Sequence, residues 1–70
     1  MSLNVPTSTG VVQEALPGAT FKIKLENGRE ILGHLAGKLR IHHIKILPGD
    51  HVIVEIGDAE ATRGRIIRRL

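Results

Sequence analysis

The chain has no cysteine, no tryptophan and no tyrosine, and one phenylalanine among its 70 residues. Without cysteine there is no disulfide framework and no thiolate metal site. Such a domain must rest on its hydrophobic core alone, and a chain this small buries only about 60% of the surface its unfolded form exposes. The shortage of rings excludes modules that read single strands by stacking bases on several exposed aromatics. No apolar run approaches the roughly 18 residues of a membrane span, and no charged, apolar, small-residue leader opens the chain, so no membrane partner is expected. The expected setting is the cytoplasm, or the stroma if the protein is plastid-encoded.

Catalysis is not expected either. The sequence shows no Ser–His–acid spacing, no paired carboxylates and no glycine-rich phosphate loop, and it implies no cofactor. A barrel of this length is expected to have little room for a pocket of about 300 Å³ or more.

What the chain does have is positive charge gathered in two places. Ten Lys and Arg against seven Asp and Glu leave a net charge of +3, so the distribution is more telling than the sum. Lys38, Arg40, His42, His43 and Lys45 lie within eight positions with no acid among them. From Ala61 to the end there are four arginines, Arg63, Arg65, Arg68 and Arg69, and again no acid. Like charges repel, and a fold tolerates such clusters best where a polyanion neutralises them. If the fold brings the two clusters together, they form one basic face. On a regular strand Arg65 and Arg69 point one way and Arg68 the other, so all four cannot serve one flat site. Arg63 and Arg65 are the better candidates for contact, and Arg68 and Arg69 read as solubilising a frayed end.

Hydrophobic alternation sets the architecture. Residues 1–9 have no periodicity and read as a flexible N-terminal arm ahead of a single domain over 10–70. Val11 to Leu16 is a candidate first strand, closed by Pro17-Gly18. Phe21, Ile23 and Leu25 alternate with Lys22, Lys24 and Glu26, the period-2 signature of a half-buried strand. Asn27-Gly28 then predicts a type I′ hairpin. Glu30 to Ala36 returns as a third strand, in which Gly33 suggests a bulge or tight bend. Gly37 to Ile44 predicts one or two turns of helix, with Ile41 and Ile44 on one face. Pro48-Gly49-Asp50 is a turn, Val52, Val54 and Ile56 mark a fourth strand, and Gly64 to Leu70 a fifth. The fold class is therefore all-β: a five-stranded OB-fold barrel with one short helix between strands 3 and 4. Closure also removes exposed strand edges. An SH3-like barrel is the rival, without a comparable helix at that point.

Lys38 and Arg40 follow a glycine that lets the backbone approach a partner closely, and their cationic heads suit phosphate oxygens. His42-His43 invites a metal reading, but adjacent helical residues diverge by about 100°. No carboxylate or thiolate lies at ligand spacing, so no metal is expected. His51 reads as structural, and His34 is equally well a satisfied strand-end histidine or a contact.

Gly37-Lys38-x-Arg40, followed by Ile44-Lys45-Ile46-Leu47-x-Gly49-Asp50-x-Val52, resembles bacterial and plastid translation initiation factor 1. So do Leu16-Pro17 with Phe21, Leu25-Glu26-Asn27-Gly28, His34 and Gly64-Arg65-Ile66. The likeness runs over roughly residues 10 to 69. It implies an OB-fold protein with no enzymatic activity that binds the small ribosomal subunit at the decoding (A) site. The implied partners are 16S rRNA, a neighbouring ribosomal protein and initiation factors two and three. The protein would act as a monomer and block premature tRNA entry. The rRNA-binding residues would be Lys38, Arg40, His43, Lys45, Arg63, Arg65 and His34, with His43 standing where the family usually carries an aromatic. Arg68 also replaces an aromatic, Asp58 to Ala61 replaces a Pro-Tyr-Asp-Leu-like segment, and the arm is neutral where the family's is often acidic. Two other readings stay open on the residues alone: a generic OB-fold RNA-binding or RNA-chaperone module, and a protein-interaction barrel that meets an acidic partner.

Phe21 belongs to the alternating core set and is not a stacking platform. Phe21→Ala is expected to cost about 3–5 kcal/mol of folding free energy, read from urea denaturation midpoints.

Overall fold

A computed structural model describes residues 6–42, 44–57 and 62–70. The strands are β1 (Thr7–Leu16), β2 (Thr20–Leu25), β3 (Glu30–Leu35), β4 (His51–Ile56) and β5 (Arg63–Arg69), with one helix, α1 (Gly37–Ile41), between β3 and β4. They form a closed barrel in the order β1-β2-β3-β5-β4. All pairings are antiparallel except that of β3 with β5. This is the five-stranded OB barrel that the alternation predicted.

The core follows from that alternation. Val12, Phe21, Ile23, Leu25, Ile31, Ile46, Val52, Val54 and Ile66 are buried, and Leu35, Leu39, Ile44 and Ile56 pack against them. So narrow a barrel cannot hold a side chain at every inward position. Three inward positions are glycines. A Cβ at Gly10 would lie 2.6 Å from Ile23 Cγ2 and 2.9 Å from the Lys24 carbonyl oxygen, and one at Gly33 would lie 2.5 Å from Ile23 Cδ1. Gly33 pairs in regular register with Phe21 and with Gly64, so it does not mark a bulge. It leaves room for Ile23.

β1 begins at Thr7, ahead of the predicted Val11, because Thr7 to Val11 pair with β4. These small polar residues carry no alternation signal; their neighbour makes them a strand. The same strand pairs with β2 from Gly10 to Leu16, with a register step around Gln13. The bulge bends β1 so that it can serve two neighbours.

The Asn27-Gly28 hairpin is not of type I′. Gly28 has φ of 88°, but Asn27 is not in the left-handed region. The Gly28 N–H donates to the Leu25 carbonyl at 2.9 Å, and the Arg29 N–H donates to Asn27 Oδ1 at 2.9 Å. A type I turn followed by a left-handed glycine gives the same reversal. The helix also differs from the prediction. Leu39 packs on the barrel and Ile44 joins it from beyond the helix, while Ile41 is 74% exposed.

Gly64 provides the test of this packing. Its absent Cβ would lie 2.6 Å from Val54 Cγ1 and 2.8 Å from the Glu55 carbonyl oxygen, a backbone atom that cannot move aside alone. Gly64→Ala is expected to destabilise by about 1–3 kcal/mol. Gly57→Ala, where among the described residues no atom beyond the chain neighbours lies within 4 Å of the new Cβ, should change the denaturation midpoint little.

Candidate nucleic-acid interface

The outward residues of the barrel alternate with its core. On β3 they are Glu30, Leu32 and His34; on β5 they begin with Arg63 and Arg65. The parallel β3–β5 pairing sets Leu32 opposite Arg63 and His34 opposite Arg65. Three of the sequence-predicted contacts, His34, Arg63 and Arg65, are therefore neighbours on one exposed surface. Beside them a cavity of about 280 Å³ lies between the Leu16–Thr20 turn and β3, with Leu32, His34 and Arg63 in its wall.

The C-terminal half of β5 departs from simple alternation. Ile53 pairs with Arg68, whereas Val54 pairs with Ile66, so Ile67 is an extra residue on β5. The bulge reverses the expected directions. Arg68 stands opposite Ile53, on the outer side with Arg65, and Arg69 stands opposite the fully buried Val52 at the barrel's end. Arg69 is not a frayed cation there, since its Nη1 donates to the Lys45 carbonyl at 2.7 Å. The Ile66-Ile67 doublet was the signal for the bulge, because two successive apolar residues break a period of 2.

The first basic cluster surrounds α1. The Ala36 N–H, just before the helix, donates to the Ile66 carbonyl at 3.0 Å, and the Arg40 N–H closes the helical turn on the Ala36 carbonyl at 3.2 Å. α1 is thus docked against the middle of β5. Arg40 and Lys45 are exposed. Lys38 lies in α1, but its side chain is outside the described part of the structure, as are all of His43 and the Asp58–Ala61 segment. Through the Ala36–Ile66 and Arg69–Lys45 hydrogen bonds, the two basic clusters meet at one end of the barrel.

Acids are paired unevenly over this surface. Arg65 Nη2 donates to Glu55 Oε1 at 2.6 Å, and Lys22 lies 3.8 Å from Glu30. Arg40, Arg63 and Arg68 form no ion pair among the described residues. An exposed cation without a partner acid keeps its charge available to phosphate.

A larger hollow lies elsewhere. An open depression of about 410 Å³ sits over the bend of β1, between Val11, Lys24 and His51. The expectation from the sequence is little room for a pocket of about 300 Å³ or more; this hollow exceeds that volume, but it is an open surface depression beside β1. Among the described residues no three metal-ligating side chains gather, and no helix is long and apolar enough to cross a membrane.

A closed barrel in this strand order, with its helix between β3 and β4 and a cationic outer face, defines an OB-fold domain of the nucleic-acid-binding class. The chain belongs to the translation initiation factor 1A / IF-1 family, whose model matches residues 2–70. It is 45% identical to the bacterial translation initiation factor of that family from the Wolbachia endosymbiont strain TRS of Brugia malayi, whose solution structure superposes with a TM-score of 0.77 over 99% of this chain and 82% of that one. YjeQ from Thermotoga maritima contains a similar barrel. Its crystal structure matches at 29% identity and a TM-score of 0.73, over 93% of this chain but only 23% of that one.

Part of the family-like motif is scaffold. Pro48 and Gly49, with φ of 96° at Gly49, form a turn closed by the Asp50 N–H to the Leu47 carbonyl at 3.0 Å. Asp50 Oδ2 accepts the Leu47 N–H at 2.8 Å, and Val12 exchanges hydrogen bonds with Gly49 and Asp50 at 2.7 and 2.9 Å. The Gly-Asp pair therefore fastens the entry of β4 to β1. Asp50→Ala is expected to lower stability by about 1 kcal/mol in urea denaturation, and Asp50→Asn by less.

Proposed function

We propose that this protein binds the small ribosomal subunit at the decoding (A) site during initiation, through 16S rRNA, and blocks premature tRNA entry by occupancy. The observation that carries the reading is the meeting of the two basic clusters, joined where Arg69 bonds the Lys45 carbonyl. With family membership, it supports Lys38, Arg40, His43, Lys45, Arg63, Arg65 and His34 as the rRNA-contacting set. Arg68 joins them because the Ile67 bulge turns it outward.

The mechanism needs no bond chemistry. Cations spread over a rigid barrel release counterions as they meet rRNA phosphates, which supplies most of the affinity. The barrel's volume then fills the site, so the block is steric. A neighbouring ribosomal protein and initiation factors two and three complete the proposed partners. Closure of the barrel leaves none of its described strands with a free edge, which supports action as a monomer.

The test is co-sedimentation with purified small subunits at several salt concentrations. If about five phosphates are neutralised, log K should fall with log salt at a slope near −4. Lys38→Ala/Arg40→Ala and Arg63→Ala/Arg68→Ala should each weaken binding without moving the denaturation midpoint. A slope near zero would sink the electrostatic mechanism. Tight binding to unstructured oligonucleotides, with none to the subunit, would favour an RNA-chaperone module instead.

A further inference from the structure

Arg65 is the outward arginine of β5 that another side chain restrains among the described residues. Around the barrel, one outer row runs from His34 on β3 through Arg65 on β5 to Glu55 on β4. Arg65 Nη2 donates to Glu55 Oε1 at 2.6 Å, so the guanidinium is drawn toward β4. The two ends of this contact are unequally covered: the Glu55 side chain is 24% exposed and that of Arg65 is 53%. The carboxylate is thus the more sheltered anchor and the guanidinium the more open end. The contact uses one of the five N–H donors of a guanidinium, leaving the others for a further acceptor.

We propose that Glu55 is a positioning residue for nucleic-acid binding, which holds Arg65 with its remaining donors open to an RNA phosphate. This rests on the reading that the β3–β5 face meets rRNA. Two effects oppose each other at Glu55. Its negative charge repels an approaching phosphate, but that charge is already countered by Arg65 at contact distance. Its tether also restricts a long side chain that would otherwise lose its rotamer freedom on binding. Arg63 and Arg68, with no such anchor among the described residues, must lose that freedom when they bind. Ordering therefore outweighs repulsion at Arg65, and removing the carboxylate weakens binding.

The experiment is a double-mutant cycle on the full chain, with Glu55→Ala, Arg65→Ala and the pair, each titrated against purified small subunits across salt concentrations. Glu55→Ala is expected to weaken binding about three- to tenfold. It should also reduce the steepness of the salt dependence by up to about one, as loss of a phosphate contact does. In the Arg65→Ala background it should have no further effect. Glu55→Gln, which keeps a neutral acceptor, should fall between wild type and Glu55→Ala. Unchanged or tighter binding by Glu55→Ala overturns the proposal, because the carboxylate is then idle or a competitor of phosphate. The same loss in both backgrounds also overturns it, since Glu55 then acts through the fold rather than through Arg65. Normal binding by Arg65→Ala, or none by folded wild type, overturns the underlying reading of the face as well.

Discussion

The structure depends on how Ile23 fills a barrel too narrow for a full set of inward side chains. Its Cγ2 occupies the space that a Cβ at Gly10 would need, and its Cδ1 the space of one at Gly33. One branched side chain on β2 thus reaches over both neighbouring strands, β1 and β3, fully buried. Gly64, paired directly with Gly33, extends the same relief to the β3–β5 seam. The close approach of these strands keeps the outer row from His34 to Glu55 on one small surface. The hydrophobic constraint inside is therefore also what assembles the charged face outside.

Two bulges adapt that frame. The step around Gln13 lets β1 leave β4 and continue along β2, which closes the barrel with five strands. The extra residue at Ile67 rephases the end of β5. It turns Arg68 outward beside the earlier arginines and brings Arg69 round to the Lys45 carbonyl. A regular strand would have split these two arginines the other way. A single inserted residue therefore enlarges the cationic face and joins it to the helical cluster.

Much of this was legible in the chain because alternation reports burial directly. Phe21, Ile23 and Leu25 named the inner face of β2, and the Pro48-Gly49-Asp50 turn was readable from backbone preference alone. The turn type at Asn27-Gly28 was misread locally, but other misreadings share one physical origin: the residue's state is fixed by a neighbour distant in sequence. Thr7 to Thr9 become strand only because β4 pairs with them. Ile41 looked like a packing residue, but one turn of helix has room on the barrel for Leu39, while Ile44 arrives from the following loop. Glu55 gave no sign of its tie to Arg65, ten residues away, since only the β4–β5 register sets the two side by side.

The same separation explains how a net charge of only +3 can serve a polyanion. The exposed Lys22–Glu30 pair adds little to stability, as such surface pairs are worth about 0–1 kcal/mol. Its effect is mainly to neutralise charge on the β2 side of the barrel. On β5, by contrast, Arg63 and Arg68 have no ion-pair partner among the described residues, and the one paired arginine keeps its open side to solvent. Stability here comes from apolar packing around Ile23, so cations on the face can be chosen for a partner rather than for the fold. The barrel bears the cost of their mutual repulsion because none of them lies within its core. A face built this way should tolerate substitution in affinity without loss of structure, whereas the glycines behind it should tolerate almost none.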